Sequence, residues 1–298
     1  MRIGILSFQT RNFENYSSVD QLADRITANG HEATIILVAE LELQFGSKTE
    51  VLLKGKPLPL FDILIVRPRI IADPSIATTY MRALETSGQK LLNGPNPVFF
   101  TKNKLETLRR LSDAGIPVPK TSTISKLDEL DSVMAGYDFP VVIKTIYGSH
   151  GTGVFLAESH ESLRPIVDFQ INRGQFNDPI TIQEYIAEAK NSDLRAFVVD
   201  ERVVAAMRRT APNGDFRANY TRGGSIEAVD LTDEQKSVAV AAANALELDY
   251  AGVDILEAST GPVVIEVNSN PGFTGIMEAT GVDVADEIVK LAIARATK

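Results

Sequence analysis

The chain has 298 residues, 44% of them hydrophobic, with 30 Lys and Arg against 39 Asp and Glu for a net charge of −9. That length gives room for about two domains with real cores, and the ordinary composition excludes wholesale disorder. A pI near 5.0 excludes a global cationic field for nucleic acid. The absence of cysteine excludes disulfides, thiolate metal sites and a cysteine nucleophile, and suits a cytoplasmic location. No window approaches ~18 uninterrupted apolar residues, so no membrane partner is expected. The apolar run in MRIGILSFQ is too short for a secretory signal.

Residues 2–6 (RIGIL) read as a buried strand. A helix is predicted over 17–29, where Val19, Leu22, Ala23 and Ile26 recur at helical spacing and Gly30 supplies the stop. Residues 33–38 give the next strand, and this β-α-β order resembles the opening of a parallel α/β domain. Residues 54–59 are turn-rich. The strand 61–69 (FDILIVRPR) ends in Arg67 and Arg69. A helix over 75–87 and a short strand at 90–92 follow. NGPNP (93–97) marks a boundary, because two prolines, a glycine and two asparagines continue no element. One charged helix is predicted over 99–114, stopped by Gly115, and IPVPK (116–120) is a linker. Beyond 141 strands dominate: 141–144, 153–157, 180–186, 194–200 and 202–209. Helices over 160–172 and 232–247 interrupt them. Strands at 252–257 and 263–268 and a helix over 282–296 close the chain. The fold class is α/β followed by α+β, the second part largely antiparallel.

In AGVDILEASTGPVVIEVNSNPG (251–272), STGP is a turn between two apolar runs, which reads as a hairpin. A turn centred near Thr260 sets Asp254 opposite Glu266 and Gly252 opposite Asn268. Strand alternation then places Val253, Ile255, Ile265 and Val267 on one face and Asp254, Glu266 and Asn268 on the other. Two opposed carboxylates repel each other. Either a hard cation such as Mg²⁺ compensates them, or they share a solvated polar face.

FPVVIKTIYGSHGTGVFLAE (139–158) is a strand, a glycine loop and a second strand. It is neither a P-loop nor a dinucleotide fingerprint. Gly148, Gly151 and Gly153, with Ser149 and Thr152, let backbone N–H groups close over a phosphate, and Lys144 could reach the same anion. The alternative is a plain hairpin loop with a surface lysine. MRRTAPNGDFRANYTRGG (207–224) carries Arg208, Arg209, Arg217 and Arg222 against Asp215 alone. This local positive excess suits phosphoryl or carboxylate groups, or a solvated loop whose arginines meet acidic neighbours.

Together these segments resemble the ATP-grasp superfamily, and within it the RimK-type ribosomal-protein and poly-α-L-glutamate ligases. The likeness runs from MRIGILS through PVVIKTIYGSHGTGV, IQEYIAEAKNSDLRAFVV and VVAAMRRTAPNGDFRANYTRGG to AGVDILEASTGPVVIEVNSNPGFTGIMEATGVDVA. It implies an ATP-grasp fold with an N-terminal α/β pre-ATP-grasp domain (1–95), a lobe with the glycine-rich flap (96–185) and a C-terminal lobe with the metal site (186–298). It also implies a carboxylate–amine ligase. The carboxylate becomes an acyl-phosphate, L-glutamate supplies the amine, and ADP and phosphate are the products. The acceptor would be the C-terminus of a ribosomal protein or a growing poly-glutamate chain. An amino-group carrier protein or a cofactor tail is the alternative acceptor. A non-catalytic ATP-binding module is the other alternative.

Residue by residue, the resemblance gives Lys104 and Lys144 to the ATP phosphates and Gly148, Ser149, Gly151, Thr152 and Gly153 to a flap over them. Glu184 and Tyr185 fall at the adenine hinge, and Asp193 at the ribose. Arg217 and Asn219 fall near the phosphates and a second metal ion. Arg209 and Arg217 are the catalytic cations, and Asp254, Glu266 and Asn268 hold Mg²⁺. Two Mg²⁺ ions, with Mn²⁺ as a substitute, and a homotetramer are implied in the same way. Asn103 stands where relatives often carry an acidic residue, and Asn270 and Phe273 also depart from their pattern. Arg67 and Arg69 end a strand where parallel sheets place their ligand crevice, so this pair either grips the acceptor or free glutamate or is a structural pair capping the first domain.

Overall fold

The computed structural model describes residues 1–8, 17–70, 73–148, 153–173, 179–212 and 224–297. The chain opens with β1 (Arg2–Ser7), α1 (Ser18–Ala28), β2 (Glu32–Leu37), β3 (Leu41–Phe45), β4 (Thr49–Leu53), β5 (Lys56–Pro57), β6 (Ile63–Arg67), α2 (Ser75–Thr86) and β7 (Leu91–Leu92). Strands β2, β1, β6 and β7 lie side by side in that order, all parallel. Helix α1 starts where expected because Ser17 and Asp20 form a reciprocal cap. Strands β3–β5 form a separate antiparallel sheet that the sequence reading missed. Lys54 and Gly55, at φ of 52° and 74°, make its last turn.

The next stretch holds α3 (Pro95–Lys102), α4 (Lys104–Asp113), β8 (Thr121–Ile124), α5 (Leu130–Met134), β9 (Val141–Thr145), β10 (Val154–Ala157), α6 (His160–Arg173) and β11 (Ile180–Glu184). Its strands form one antiparallel sheet in the order β10-β9-β11-β8. Two expectations are corrected here. NGPNP interrupts regular structure only at Asn93 and Gly94, between β7 and α3; its last three residues start α3, with Pro95 in the first turn, where its missing N–H costs no helical bond. The single helix over 99–114 is two helices. Asn103, with φ of −103° and ψ of 106°, breaks the first, and its side chain accepts from the N–H groups of Leu105 and Glu106 at the start of the second.

The last stretch contains β12 (Ser192–Val199), β13 (Arg202–Thr210), β14 (Ser225–Ala228), α7 (Asp233–Ala245), β15 (Tyr250–Ala258), β16 (Gly261–Asn268), α8 (Thr274–Thr280) and α9 (Val284–Ala296). Its five strands form an antiparallel sheet in the order β14-β13-β12-β15-β16. The faces differ. Leu194, Ala196, Val253, Ile255 and Val264 pack under α7, together with Leu111 of α4. On the other face Phe197, Val199, Met207 and Tyr250 join Ile3, Ile5 and Ile65 of the parallel sheet and the apolar side of α9 in one core. The last helix thus returns to the first sheet.

The hairpin register is as predicted near its open end, where Asp254 pairs with Glu266 and Gly252 with Asn268. It differs towards the turn. A bulge between Asp254 and Ile255 makes Val264, not Ile265, the partner of Ile255. Val264 is therefore the core residue, and Ile265 faces the cavity described next.

Candidate functional site

A cavity of about 310 Å³ is lined by β9 and β11 on one side and by β12, β13, β15 and β16 on the other. That volume is in the range of small-molecule sites, ~300–1,000 Å³. Lys104, Lys144, Gly148, Glu184, Tyr185, Asp193, Arg209, Asp254, Glu266 and Asn268 all line it. Sequence segments more than a hundred residues apart therefore converge on one space. Gly153 does not line it. That glycine closes the β9–β10 hairpin: its carbonyl accepts from Thr145 N at 3.0 Å, its φ is +75°, and a Cβ would lie 2.2 Å from Thr145 Oγ1. Ser149, Gly151, Thr152, Arg217 and Asn219 lie outside the described residues.

The acidic wall is built by strand alternation. Asp193 and Arg195 point the same way from β12, facing Arg209 of β13 and Asp254 of β15 through the register Asp193↔Arg209 and Arg195↔Asp254. Arg195 grips Asp254 with two bonds of 2.7 Å. Arg209 grips Asp193 at 2.6 and 2.7 Å and reaches Asp254 Oδ2 at 3.0 Å. Burial opposes the charge on Asp254, but Arg195 and then Arg209 outweigh it and hold its carboxyl below the usual aspartate range. For Asp193 burial is the largest effect and pushes its carboxyl up to about 6. Arg209 opposes that rise and Asp254 adds to it. The arginine-rich segment thus divides. Arg209 belongs to the site, whereas Arg208, one residue earlier and on the opposite face, pairs with Glu257 at 2.7 Å and Glu227 at 3.8 Å.

The basic wall comes from the other side. Lys144 Nζ donates to Gln183 Oε1 at 2.7 Å, and Gln183 Nε2 donates to Thr121 Oγ1 at 2.8 Å. Lys104 Nζ donates to the Gly148 carbonyl at 3.3 Å. Burial lowers the pKa of Lys144 to about 8, against the pull of Glu266. Burial also lowers Lys104, and Lys102 beside it, with Glu266 again opposing. At the joint between the sheets, Glu184 Oε1 accepts from Lys120 N at 2.7 Å, and Tyr185 Oη donates to Asn191 Oδ1 at 2.6 Å.

The family model for the RimK-like ATP-grasp domain matches residues 101–292, the span that contributes every wall of this cavity apart from Pro68, Arg69 and Ile70. The chain belongs to the RimK-like ATP-grasp family. It is 39% identical to "Probable alpha-L-glutamate ligase 2" of Shewanella amazonensis over 97% of this chain and 94% of that one. It is 37% identical to "Probable alpha-L-glutamate ligase" of Nitrosococcus oceani over 100% and 97%. Among solved structures it resembles the ATP-grasp ligase PsnB complexed with minimal precursor (TM-score 0.76, 20% identity, 98% of both chains). It also resembles a RimK domain ATP-grasp protein from Sphaerobacter thermophilus (TM-score 0.71, 21% identity, 98% and 100%). Identities near 20% carry the fold alone. As a RimK-like ATP-grasp protein, the chain is a ligase that forms C–N bonds.

The donors in this RimK-like site fit a hard divalent cation. Asp254, Glu266 and Asn268 offer two carboxylates and an amide, the oxygen chemistry that Mg²⁺ prefers. Asn268 Nδ2 is buried without a hydrogen bond, a free donor suited to an anionic oxygen, while its Oδ1 is the atom a cation would take. Both oxygens of Asp254 are engaged by arginines, which leaves Glu266, on the exposed side of β16, as the more open carboxylate.

Several contributors were not singled out from sequence: Arg195, Lys102 and Gln183. Arg195 had a usable signal, since it is two residues from Asp193 on one strand and therefore shares its face. Lys102 had none, because the α3–α4 break places it, whereas Asn270 stood out only as a departure from the family pattern.

Proposed function

We propose that this ligase adds L-glutamate through its α-amino group to a carboxyl at the C-terminus of a protein or of a growing glutamate chain, with ATP consumed to ADP and phosphate. The supporting observation is the single cavity in which Lys104 and Lys144 face Asp254, Glu266 and Asn268. The glutamate reading rests on the relatives named above, and the protein acceptor, a ribosomal protein among them, on the family resemblance.

In this reading Lys104 and Lys144 bind the ATP phosphates, and desolvation makes their charges count for more than they would in water. Glu184 and Tyr185 flank the adenine, and Asp193 faces the ribose. Asp254, Glu266 and Asn268 hold Mg²⁺ or Mn²⁺, which when bound neutralises phosphate charge and polarises the transferred group. Arg195 and Arg209 fix Asp254 in place, so that residue is pre-oriented rather than recruited. Arg209 keeps a positive charge at the wall where negative charge grows during carboxyl activation. No side chain in this wall is required as a covalent nucleophile. Arg217 and Asn219 are assigned by resemblance to the same anionic region. A homotetramer is part of the same reading.

The test is release of ADP from ATP and Mg²⁺ with L-glutamate and a glutamate-terminated peptide, with the ligated product read by mass. Release should require L-glutamate and stay near background with L-alanine. Glu266→Gln should lower turnover a hundredfold or more, corresponding to ~3 kcal/mol of lost electrostatic stabilisation. Its melting temperature should hold, because Glu266 lies on the exposed side of its strand. Glutamate-independent ADP release or near-normal turnover in Glu266→Gln would refute the reading.

A further inference from the structure

Of Arg67 and Arg69, only Arg67 lies in β6; Arg69 follows two residues later, and the two do different things. Arg67 is only 4% exposed. Its Nη2 donates to the Pro271 carbonyl at 3.0 Å and to Ser18 Oγ at 3.2 Å, and its guanidinium lies 5.1 Å from the centre of the Phe273 ring. Its Nε and Nη1 are buried without partners. It is therefore a fixed positive charge behind the wall. Arg69 is exposed and lines the cavity, as Lys102 and Asn270 do.

The cavity's aspartates are taken up by Arg195 and Arg209. Among the described residues no carboxylate lies within 4.0 Å of Arg69 or Lys102, though Lys102 feels Glu266 at longer range and the repulsion of Lys104 and Arg67. Arg69 and Lys102 thus carry charges in one cavity that no adjacent carboxylate neutralises, Glu266 acting on Lys102 only at longer range, and a ligand carboxylate would supply the missing partner. A second observation sits at the same place: Asn270 lines the cavity with its Oδ1 buried and unbonded. A free acceptor in one cavity with cations that no carboxylate pairs matches an amino acid, whose carboxylates need the cations and whose amine N–H needs the acceptor.

We propose that Arg69, Lys102 and Asn270 form a subsite for the incoming amino acid, with Arg69 and Lys102 holding its carboxylates and Asn270 Oδ1 accepting from its amine. Arg67 acts on this subsite as a positioning residue, through the Pro271 carbonyl and its charge. The subsite rests on the ligase reading above and adds to it the residues that select a dicarboxylic amino acid. The amine is then held near the cavity wall where the carboxyl is activated, and the side-chain carboxylate explains a preference for an acidic amino acid over a neutral one.

The test separates the subsite from the ligase reading. Calorimetry on the full chain with ADP and Mg²⁺ present would measure binding of L-glutamate and of glutarate, which has both carboxylates and no amine. Steady-state kinetics would vary ATP, L-glutamate and peptide acceptor in turn. In Arg69→Gln and in Lys102→Gln, glutamate and glutarate should each bind at least tenfold more weakly, and the KM for glutamate should rise by a similar factor. In Asn270→Ala, glutamate should lose affinity while glutarate does not. The KM for ATP in Arg69→Gln should move less than twofold. If wild type binds neither compound, or if no variant weakens either, the subsite is overturned even when ligation is glutamate-dependent. If the KM for the acceptor rises instead of that for glutamate, the site holds the acceptor's carboxyl end and the assignment to the incoming amino acid falls. If binding weakens as expected but ADP release is independent of glutamate, the subsite stands and the ligase reading is the part that fails.

Discussion

At the scale of single residues, Lys144 carries the most directly testable chemistry. It sits at the back of the cavity with a neutral partner, Gln183, and burial brings its pKa down from 10.5 to about 8. Below about pH 8 the ammonium is charged in both the folded and the unfolded chain. Between about 8 and 10.5 the folded chain releases the proton while the unfolded chain keeps it, so this group's contribution to stability rises with pH across that window and is lost as pH falls through about 8. Function runs the opposite way, because a phosphate needs the charged form. Since kcat/KM reports the free enzyme, kcat/KM for ATP should fall above pH about 8 with a slope near one proton. Lys144→Arg should remove that limb, since a guanidinium stays charged. A wild-type profile that is flat to about pH 9.5 would show that loss of the charge on Lys144 does not limit ATP use in this range.

At the scale of elements, the site depends on two local irregularities, and these are also where sequence reasoning lost accuracy. The long apolar runs of β1, β6, β12 and β15 and the capped helix α1 were legible because periodicity and caps are local properties. The face of Ile265 was not, since a bulge inverts strand alternation without leaving a composition signal. Short strands such as β3 and β14 were missed because they are held by neighbours rather than by a strong apolar pattern of their own. The break at Asn103 has a stronger consequence. It makes Lys104 the first residue of α4, so the cap that starts the helix also aims the lysine. Asn103→Ala should cost ~1 kcal/mol, seen as a drop of roughly 2–4 °C in melting temperature, together with a raised KM for ATP. Asn103→Asp keeps the acceptor and adds a charge favoured at a helix N-terminus, so it should restore both quantities. Equal KM values for wild type and Asn103→Ala would separate the cap from the lysine's placement.

At the scale of the whole molecule, the cavity exists because cores do not follow the order of the chain. The parallel sheet at the start shares one core with α8 and α9 at the end, and α4 from the middle packs under α7. Such long-range pairing could not be read from motifs. The opposition of Asp254 and Glu266 could, because a hairpin carries its own register. The clearest long-range tie is Asn93, fully buried between the first sheet and the last. Its Nδ2 donates to the carbonyls of Tyr250 at 2.8 Å and Ser269 at 3.1 Å, and its Oδ1 accepts from the N–H groups of Asp249 at 2.8 Å and Tyr250 at 3.3 Å. Its backbone has φ of 60°, a conformation asparagine accepts more readily than most residues. Tyr250 in turn donates to the Val66 carbonyl at 2.6 Å, so β6, β7 and β15 are bound at one point close to Asn268. Asn93→Ala leaves several buried backbone groups without partners, and each costs ~1–3 kcal/mol. The expected loss is ~3 kcal/mol or more, read as a fall of roughly 6 °C or more in melting temperature. Asn93→Gly relieves the backbone strain but restores none of the bonds, so it should remain nearly as unstable as the alanine variant. If Arg69, just after β6, and Asn270, just after the last strand, form the proposed glutamate subsite, both variants should also show a raised KM for glutamate well below the transition. A melting temperature within about one degree of wild type for Asn93→Ala would show that the apolar core alone joins the two sheets.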